Sequence, residues 1–108
     1  MYFITCIQKY EKKDNLNIDI GAYNTFGYFT NHKDAEDVVL QNMTDIQEGV
    51  YNFAIIEDIP EGLYSQAEFR EFYKWNNEKR EFYKLSNDIK EEKEIIDMLN
   101  DGYGNWAF

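Results

Sequence analysis

Cysteine, proline and histidine each occur once among the 108 residues of the chain, and this scarcity excludes several classes of site. With Cys6 as the sole thiol, neither an intramolecular disulfide nor a multi-cysteine metal site is possible. Cys6 lies in the middle of a predicted strand and His32 lies in the cap region of a predicted helix, so the sequence nominates no catalytic Ser-His or Cys-His pair. The cysteine usage fits a reducing compartment, and we expect a cytoplasmic protein.

Basic residues are also scarce, since 11 lysines and arginines face 21 acids and leave a net charge of −10. Such a charge opposes broad contact with phosphate backbones or anionic lipid and favours basic or neutral partners. No apolar run approaches the roughly 20 residues that a membrane-spanning helix needs. In MYFITCIQKYEKKD the basic residues follow the apolar segment, which is the reverse of a signal peptide. We therefore expect neither a membrane span nor a leader.

Aromatic residues, in contrast, make up 18% of the chain, and 44% of all residues are hydrophobic. This composition predicts autonomous folding of residues 1–108 as a single domain. The hydrophobic periodicity predicts a compact α+β fold with a mainly antiparallel sheet of about five strands and two helices. Strands are predicted at 2–8, 22–29, 50–59, 68–76 and 80–86, and helices at 33–43 and 88–100, whereas 11–21 is either a loop or a ragged edge strand.

Four further signals refine this prediction. Gly27 inside the second strand predicts a bulge or a close backbone approach, and Asn31 predicts the start of the first helix. The order strand, helix, returning strand over 22–59 predicts a crossover that packs the helix on one face of the sheet. The aromatic tail YGNWAF is predicted to dock on the domain.

The stretch REFYKWNNEKREFYKLS, residues 70–86, contains the block REFYK twice and predicts a hairpin. If residues whose numbers sum to 156 lie opposite each other, Asn77, Glu78 and Lys79 form a three-residue loop. One face would then carry Tyr73, Trp75, Tyr83 and Leu85, and the other would carry Phe72, Lys74, Phe82 and Lys84. A slip of one residue would exchange the faces of one strand.

Aromatic rings beside lysines are also what a platform for single-stranded nucleic acid uses. Charge weighs against that function, because the stretch 70–86 has five bases and three acids, a net +2, and the rest of the chain therefore carries −12. Ordinary cross-strand contacts of roughly 0.2–1 kcal/mol per pair explain the repeat without a ligand. Sheet architecture is the favoured interpretation, and no direct contact with nucleic acid is expected.

Acidic residues flank the strongest predicted strand and could meet at its ends as a magnesium site or as an acid–base pair. These residues are Asp45, Glu48, Glu57, Asp58 and Glu61. Because 21 acids must be placed somewhere on a small domain, solvated loop charge is the favoured interpretation, and we predict no metal site, cofactor or catalytic residue. The run EEKE, residues 91–94, is predicted to be the solvent face of the last helix.

Several spaced motifs resemble a group of small uncharacterised proteins from clostridia-like bacteria and their mobile elements. They are FGYF at 26–29, Asp34-Ala35, the spacing of Asn42, Asp45 and Glu48, then Tyr51, AIIE at 54–57, EGLY at 61–64 and FYKW at 72–75. The resemblance covers roughly residues 1–85 and implies a source in a mobile element. It implies no activity, and the C-terminal helix is longer and more acidic than is usual in the group.

These observations favour a small acidic, non-enzymatic interaction protein of a phage or mobile element that binds a host protein, with a basic partner favoured. A specific version is an inhibitor of a nucleic-acid-binding defence protein such as a CRISPR effector. The alternatives are a small metal-dependent enzyme using the acids near Glu57 and single-strand binding through the hairpin. The predicted binding surface comprises Phe72, Lys74, Phe82, Lys84, Glu91, Glu92 and Glu94.

Overall fold

A computed structural model describes residues 1–11, 18–63, 65–100 and 104–107, and it shows one five-stranded antiparallel sheet with two helices. The elements are β1 (Tyr2–Glu11), β2 (Ile18–Phe29), α1 (His32–Leu40), β3 (Phe53–Asp58), β4 (Phe69–Asn76), β5 (Glu81–Lys84) and α2 (Lys90–Asn100). The strands lie side by side in the order β2-β1-β3-β4-β5. The predicted α+β class is confirmed. Within the described ranges, no helix is long and apolar enough to cross a membrane.

The segment 11–21, whose state the sequence left open, contributes its last residues to the start of β2 at Ile18, while residues 12–17 lie outside the described part of the chain. Gly27 borders a register shift between β1 and β2, where Ile4 pairs with Gly27 and Thr5 pairs with Thr25. The extra residue between these partners is Phe26, so the predicted bulge is present.

The connection from β2 to β3 is a crossover that carries α1 over the sheet. Both strands pair antiparallel with β1, one on each side of it, and they therefore run parallel to each other. Asn31 begins the helix, since its Oδ1 accepts a hydrogen bond from the Lys33 N–H at 2.8 Å. The helix ends at Leu40, earlier than the predicted Met43, because Asn42 adopts a left-handed conformation with φ 46°.

Each face of the sheet has its own buried cluster, because the two helices pack on opposite sides. Under α1 lie Ile4, Cys6, Ala35, Val39, Ile46, Tyr51, Ala54, Ile56, Tyr73 and Phe82. Under α2 lie Ile7, Phe53, Ile55, Phe72, Leu85, Ile96, Leu99 and Trp106. In β3 every residue from Phe53 to Glu57 is buried. Both faces of this strand are therefore covered, as its continuous apolar run indicates.

The hairpin of β4 and β5 has a different register from the predicted one. Tyr73 lies opposite Lys84 and Trp75 lies opposite Phe82, so paired residue numbers sum to 157 and the loop has four residues, 77–80. Asn76 causes the difference: its Oδ1 accepts hydrogen bonds from the Glu78 and Lys79 N–H groups, both at 3.0 Å, and Arg80 closes the turn with φ 56°. The shift exchanges the faces of β5 relative to the prediction.

The C-terminal tail docks on the α2 side of the sheet, as its aromatic content predicted. Trp106 is 3% exposed, its indole Nε1–H donates to the Leu99 carbonyl at 2.9 Å, and its ring meets Tyr23 of β2 edge to face with centroids 5.5 Å apart. Asn105 joins the tail to the β3–β4 connection, because its Oδ1 accepts from the Ala67 N–H at 2.7 Å and its Nδ2 donates to the Ser65 carbonyl at 2.8 Å.

Candidate binding surface

The four hairpin residues of the predicted surface do not lie together. Phe72 and Phe82 are 6% and 2% exposed, and they are buried on opposite faces of the sheet. Lys74 lies opposite Tyr83 on the face of α2, and Lys84 lies opposite Tyr73 on the face of α1. Because a stacking platform needs exposed rings on one face, the structure offers no basis for base stacking on this hairpin.

The three acids of the predicted surface have different roles in α2. Glu91 and Glu94 are exposed and remain candidates for contact with a basic partner. Glu92 is half-buried, and its Oε1 accepts a hydrogen bond from the Ser86 N–H at 2.8 Å, which fixes the approach to the helix. Neutralising Glu92 would therefore alter the fold as well as the surface charge.

The only histidine takes part in a cluster between the start of α1 and β4. Its Nε2 contacts Oε1 of Glu71, a carboxylate that is buried on the sheet, and Lys84 Nζ contacts the other oxygen of Glu71 at 2.5 Å. The His32 ring stands edge-on to Tyr2 and Phe69, with centroids 5.3 and 6.0 Å away. Burial tends to raise the pKa of Glu71, but the contacts with His32 and Lys84 outweigh it and hold that pKa below its usual range.

His32, Glu36 and Glu71 each offer a ligand atom within 4.8 Å of the others, and they are the one such group among the described residues. Both oxygens of Glu71 already have partners, and one of these is the ammonium of Lys84. A cation at this point would have to displace a like charge. The cluster is explained as an ion-pair network that joins α1 to the sheet, and it carries no metal assignment.

The acids around β3 do not converge on one site. Glu57 is fully buried; it accepts from Arg70 Nε at 2.9 Å and from the N–H groups of Trp106 and Ala107 at 2.9 Å. Asp58 pairs with the Met1 α-ammonium at 3.3 Å. Asp45 and Glu48 are exposed in the loop after α1, and Glu61 is exposed in the β3–β4 connection. Every partner of Glu57 is a donor from its own chain, so its carboxylate anchors the tail.

The strand β2 forms one edge of the sheet, and it is the longest strand, with 12 residues. Its one charged residue is Asp19, and from Gly21 to Phe29 it reads GAYNTFGYF, without a charged residue or a proline, although 30% of the chain is charged. Tyr23 and Tyr28 are each 57% exposed. Natural edges are commonly protected by lysine, proline or bulges. Residues 18–29 contain neither lysine nor proline, but the pairing with β1 has two register shifts, one at Phe26 and one between Ile20 and Tyr23.

The hydrogen bonds of β1 show which groups of β2 face outward. Backbone groups of odd-numbered β1 residues point to the β3 side, because Met1 O accepts from the Ile59 N–H and Ile7 O accepts from the Asn52 N–H. The even-numbered residues then bond β2, so their partners Asn24 and Gly27 point inward. Alternation places the backbone groups of Tyr23, Thr25 and Tyr28 at the open edge. Their side chains all lie on the α2 face, since their partners Ile7, Thr5 and Phe3 do.

A groove of about 920 Å³ lies next to this edge on the α2 face. Its walls come from β2, from the start of β1, from the β3–β4 connection and from the docked tail. Phe3 and Tyr28 meet there with ring centroids 5.4 Å apart, and Glu61 at the rim is the one charged side chain among the described lining residues. Volumes of roughly 300–1,000 Å³ are typical of ligand sites.

Sequence reasoning identified neither the edge nor the groove. The uncharged run 21–30 was a readable signal for an unprotected edge, but edge position depends on strand order, and strand order depends on the crossover. The groove is formed by segments that are far apart in the chain, and hydrophobic periodicity contains no information on which distant segments come into contact.

Comparison of the chain with protein-family models, with curated proteins and with solved structures gives no match. The resemblance to small clostridial proteins thus stays a prediction, and any function must be argued from the geometry of the chain itself.

Proposed function

We propose that the protein is a non-enzymatic interaction protein that binds another protein by accepting an extended segment of it along the open edge of β2. The observation that carries this proposal is the combination of edge position, 12-residue length and lack of charge over residues 21–29 in β2. An extended segment that pairs with an edge satisfies the backbone groups of both chains, and the side chains on each face supply specificity.

Charge selects the kind of partner. With a net charge of −10, two copies of the chain repel each other, so pairing of β2 with β2 of a second copy is opposed. The negative electrostatic field of the chain attracts a basic protein, and the exposed Glu91 and Glu94 add to this field. The specific version is inhibition of a host nucleic-acid-binding protein, such as a defence effector, whose basic groove the acidic domain would occupy.

The test removes one backbone N–H group that points to the open edge, without removing a hydrogen bond between the strands of the sheet. Tyr23→Pro deletes a donor that faces the open edge, whereas Tyr23→Ala removes the same ring and keeps the donor. The immobilised variants are incubated with the lysate of a clostridial host, and the captured proteins are quantified. We expect a set of proteins that wild type and Tyr23→Ala retain and Tyr23→Pro loses, with both variants equally folded by circular dichroism. Equal capture by the two variants would refute strand addition.

A second arm tests the charge of the partner. Capture is compared at about 0.01 M and about 1 M salt, between which the screening length falls from about 30 Å to about 3 Å. We expect the specific set to weaken steeply with salt and to weaken further with Glu91→Gln combined with Glu94→Gln. Glu92 is left intact because of its bond to Ser86. Binding that is insensitive to salt would exclude a basic partner.

A further inference from the structure

We infer that the groove beside β2 is the specificity pocket for the added segment and that it receives an arginine side chain of the partner. This inference rests on the proposed function, because strand addition brings the partner to the groove. It deepens that function by naming the side chain that the site selects.

Three residues of β2 link the open edge to the groove, because their backbone groups point to the edge and their side chains point to the face of the groove. Tyr23, Thr25 and Tyr28 present their backbone groups to the open edge and their side chains to the α2 face. In an antiparallel pair, directly opposite residues place their side chains on the same face. The residues of the partner that pair with these three therefore point to the face on which the groove lies. Thr25 and Tyr28 themselves line it.

The walls suit a guanidinium group on an aliphatic stem. Phe3 and Tyr28 are tilted by 42° to each other, and aromatic faces attract arginine through cation–π contact and stacking. Ile59 and Pro60 supply apolar surface for the methylenes. The carboxylate of Glu61 is the counter-charge at the rim. The α-ammonium of Met1 also borders the groove, but its charge is paired with Asp58 at 3.3 Å.

The position of Glu61 depends on the turn that follows it. Gly62 has φ +136°, and a Cβ built on it would lie 3.2 Å from Ser65 Oγ, so the turn favours glycine at this point. Asn105, which also lines the groove, is held by its bonds to Ser65 and Ala67. The groove is therefore formed before a partner arrives, which lowers the conformational entropy lost on binding.

The experiment uses the whole chain and a fluorescein-labelled peptide of threonine and serine with one central arginine, about as long as β2. In the matched peptide citrulline replaces arginine, which keeps the shape and removes the charge. Binding is followed by fluorescence anisotropy. We expect the citrulline peptide to bind about fivefold more weakly or worse, the size of an exposed cation–π contact. Glu61→Gln and Tyr28→Leu should each remove most of this difference between the peptides.

Glu78→Gln is the matched control, since it changes the net charge by the same amount at an exposed position in the β4–β5 loop, at the sheet edge opposite β2. Loss of arginine preference in Glu61→Gln but not in Glu78→Gln supports the groove. Equal effects of the two variants, or equal affinity for both peptides, would overturn it. If the arginine peptide does not bind at all, the groove inference is also overturned, while strand addition is still judged by the lysate experiment.

Tyr23→Pro separates the two proposals within the same assay. If this variant loses both peptides while Glu61→Gln and Tyr28→Leu behave as wild type, strand addition stands and the groove inference falls. If Tyr23→Pro binds both peptides as wild type does and Glu61→Gln loses the arginine preference, the groove stands and strand addition falls.

Discussion

Glu57 in β3 accepts a hydrogen bond from the backbone N–H of Ala107 at 2.9 Å, 50 residues further along the chain. The same carboxylate accepts from the N–H of Trp106 and from Arg70 Nε, so one buried charge joins β3, β4 and the tail. Arg70 in turn donates to Asn100 at 2.9 Å and to the Gly104 carbonyl. The end of α2 and the tail are thus held to the sheet by a charged network as well as by Trp106.

Replacing this carboxylate should loosen the tail. In Glu57→Gln the amide NH₂ would face a donor in either orientation, Arg70 Nε or the N–H groups of the tail, and Arg70 would lose its ion-pair partner. Breaking a buried pair in this way costs about 3 kcal/mol or more. We expect the free energy of unfolding in urea to fall by about that amount, and proteolysis near residues 104–107 to become faster.

Asp58→Asn provides the control at the neighbouring position. Asp58 pairs with the α-ammonium of Met1, and the two partners are 29% and 39% exposed. A pair in such contact with water contributes less than about 1 kcal/mol. A loss in Asp58→Asn as large as that in Glu57→Gln would show that the Glu57 network does not anchor the tail.

Much of the fold was readable from local pattern. The alternation in YFITCIQ, the continuous apolar run of β3 and the Asn31 cap each predicted the element that the structure contains. Such signals are local, because a strand or a helix buries side chains at a fixed period. The role of Glu57 was not readable. Its partners Arg70 and Ala107 are 13 and 50 residues away, and nothing in the spacing distinguishes it from an acid in a loop.

The Glu71 carboxylate should make the protein sensitive to acid. His32 and Lys84 hold the pKa of Glu71 below its usual range, so between that lowered pKa and the unfolded value of about 4.3 the unfolded chain binds more protons. Stability from this group is therefore complete above the unfolded pKa and is lost as the pH falls through the folded pKa. In Glu71→Gln we expect lower stability at neutral pH and a gap to wild type that narrows on acidification.

The measurement is the urea midpoint over a series from about pH 3 to about pH 7. Glu68→Gln, at an exposed acid directly before β4 and three residues from Glu71, is the matched control and should run parallel to wild type. A constant difference between Glu71→Gln and wild type across the series would contradict the role assigned to the carboxylate.

The hairpin shows where pattern fails. The repeat of REFYK suggested that the two copies pair in phase, but the bonds from Asn76 Oδ1 to two N–H groups lengthen the loop to four residues. The Asn76 side chain, and not the repeated block, determines which of the two registers forms. As a result both phenylalanines are core residues, and the candidate binding surface moves from β4 and β5 to β2.

Cys6 should be inert in the folded protein. It is 0% exposed, and burial, with a smaller contribution from the charge of Glu48, raises its pKa to about 12. Because the thiolate is the reactive form, labelling with a disulfide reagent at about pH 8 should be at least a thousandfold slower than in urea. Cys6→Ser is the blank for the assay. Rapid labelling of the native chain would show that β1 opens under native conditions.

The loop after α1 explains the spacing of Asn42, Asp45 and Glu48. All three residues have positive φ, at 46°, 54° and 52°, and the N–H of each later residue donates to the carbonyl three positions before it. The side chain of Asn42 adds bonds to Asp45 and to the Gln47 N–H. The spacing marks successive turns, for which asparagine and aspartate are suited, and not a set of ligands.

Thr44 lies within this loop at φ 55° and ψ 20°, a left-handed conformation that is unfavourable for a β-branched residue. Its side chain is exposed, so replacing it removes no buried contact. Asparagine tolerates this conformation, and we expect Thr44→Asn to raise the free energy of unfolding by about 0.5 kcal/mol. The control is Thr30→Asn, an exposed threonine that is not among the positive-φ residues. Urea unfolding should show a gain at 44 alone; an equal change at both positions would place the effect in the unfolded chain.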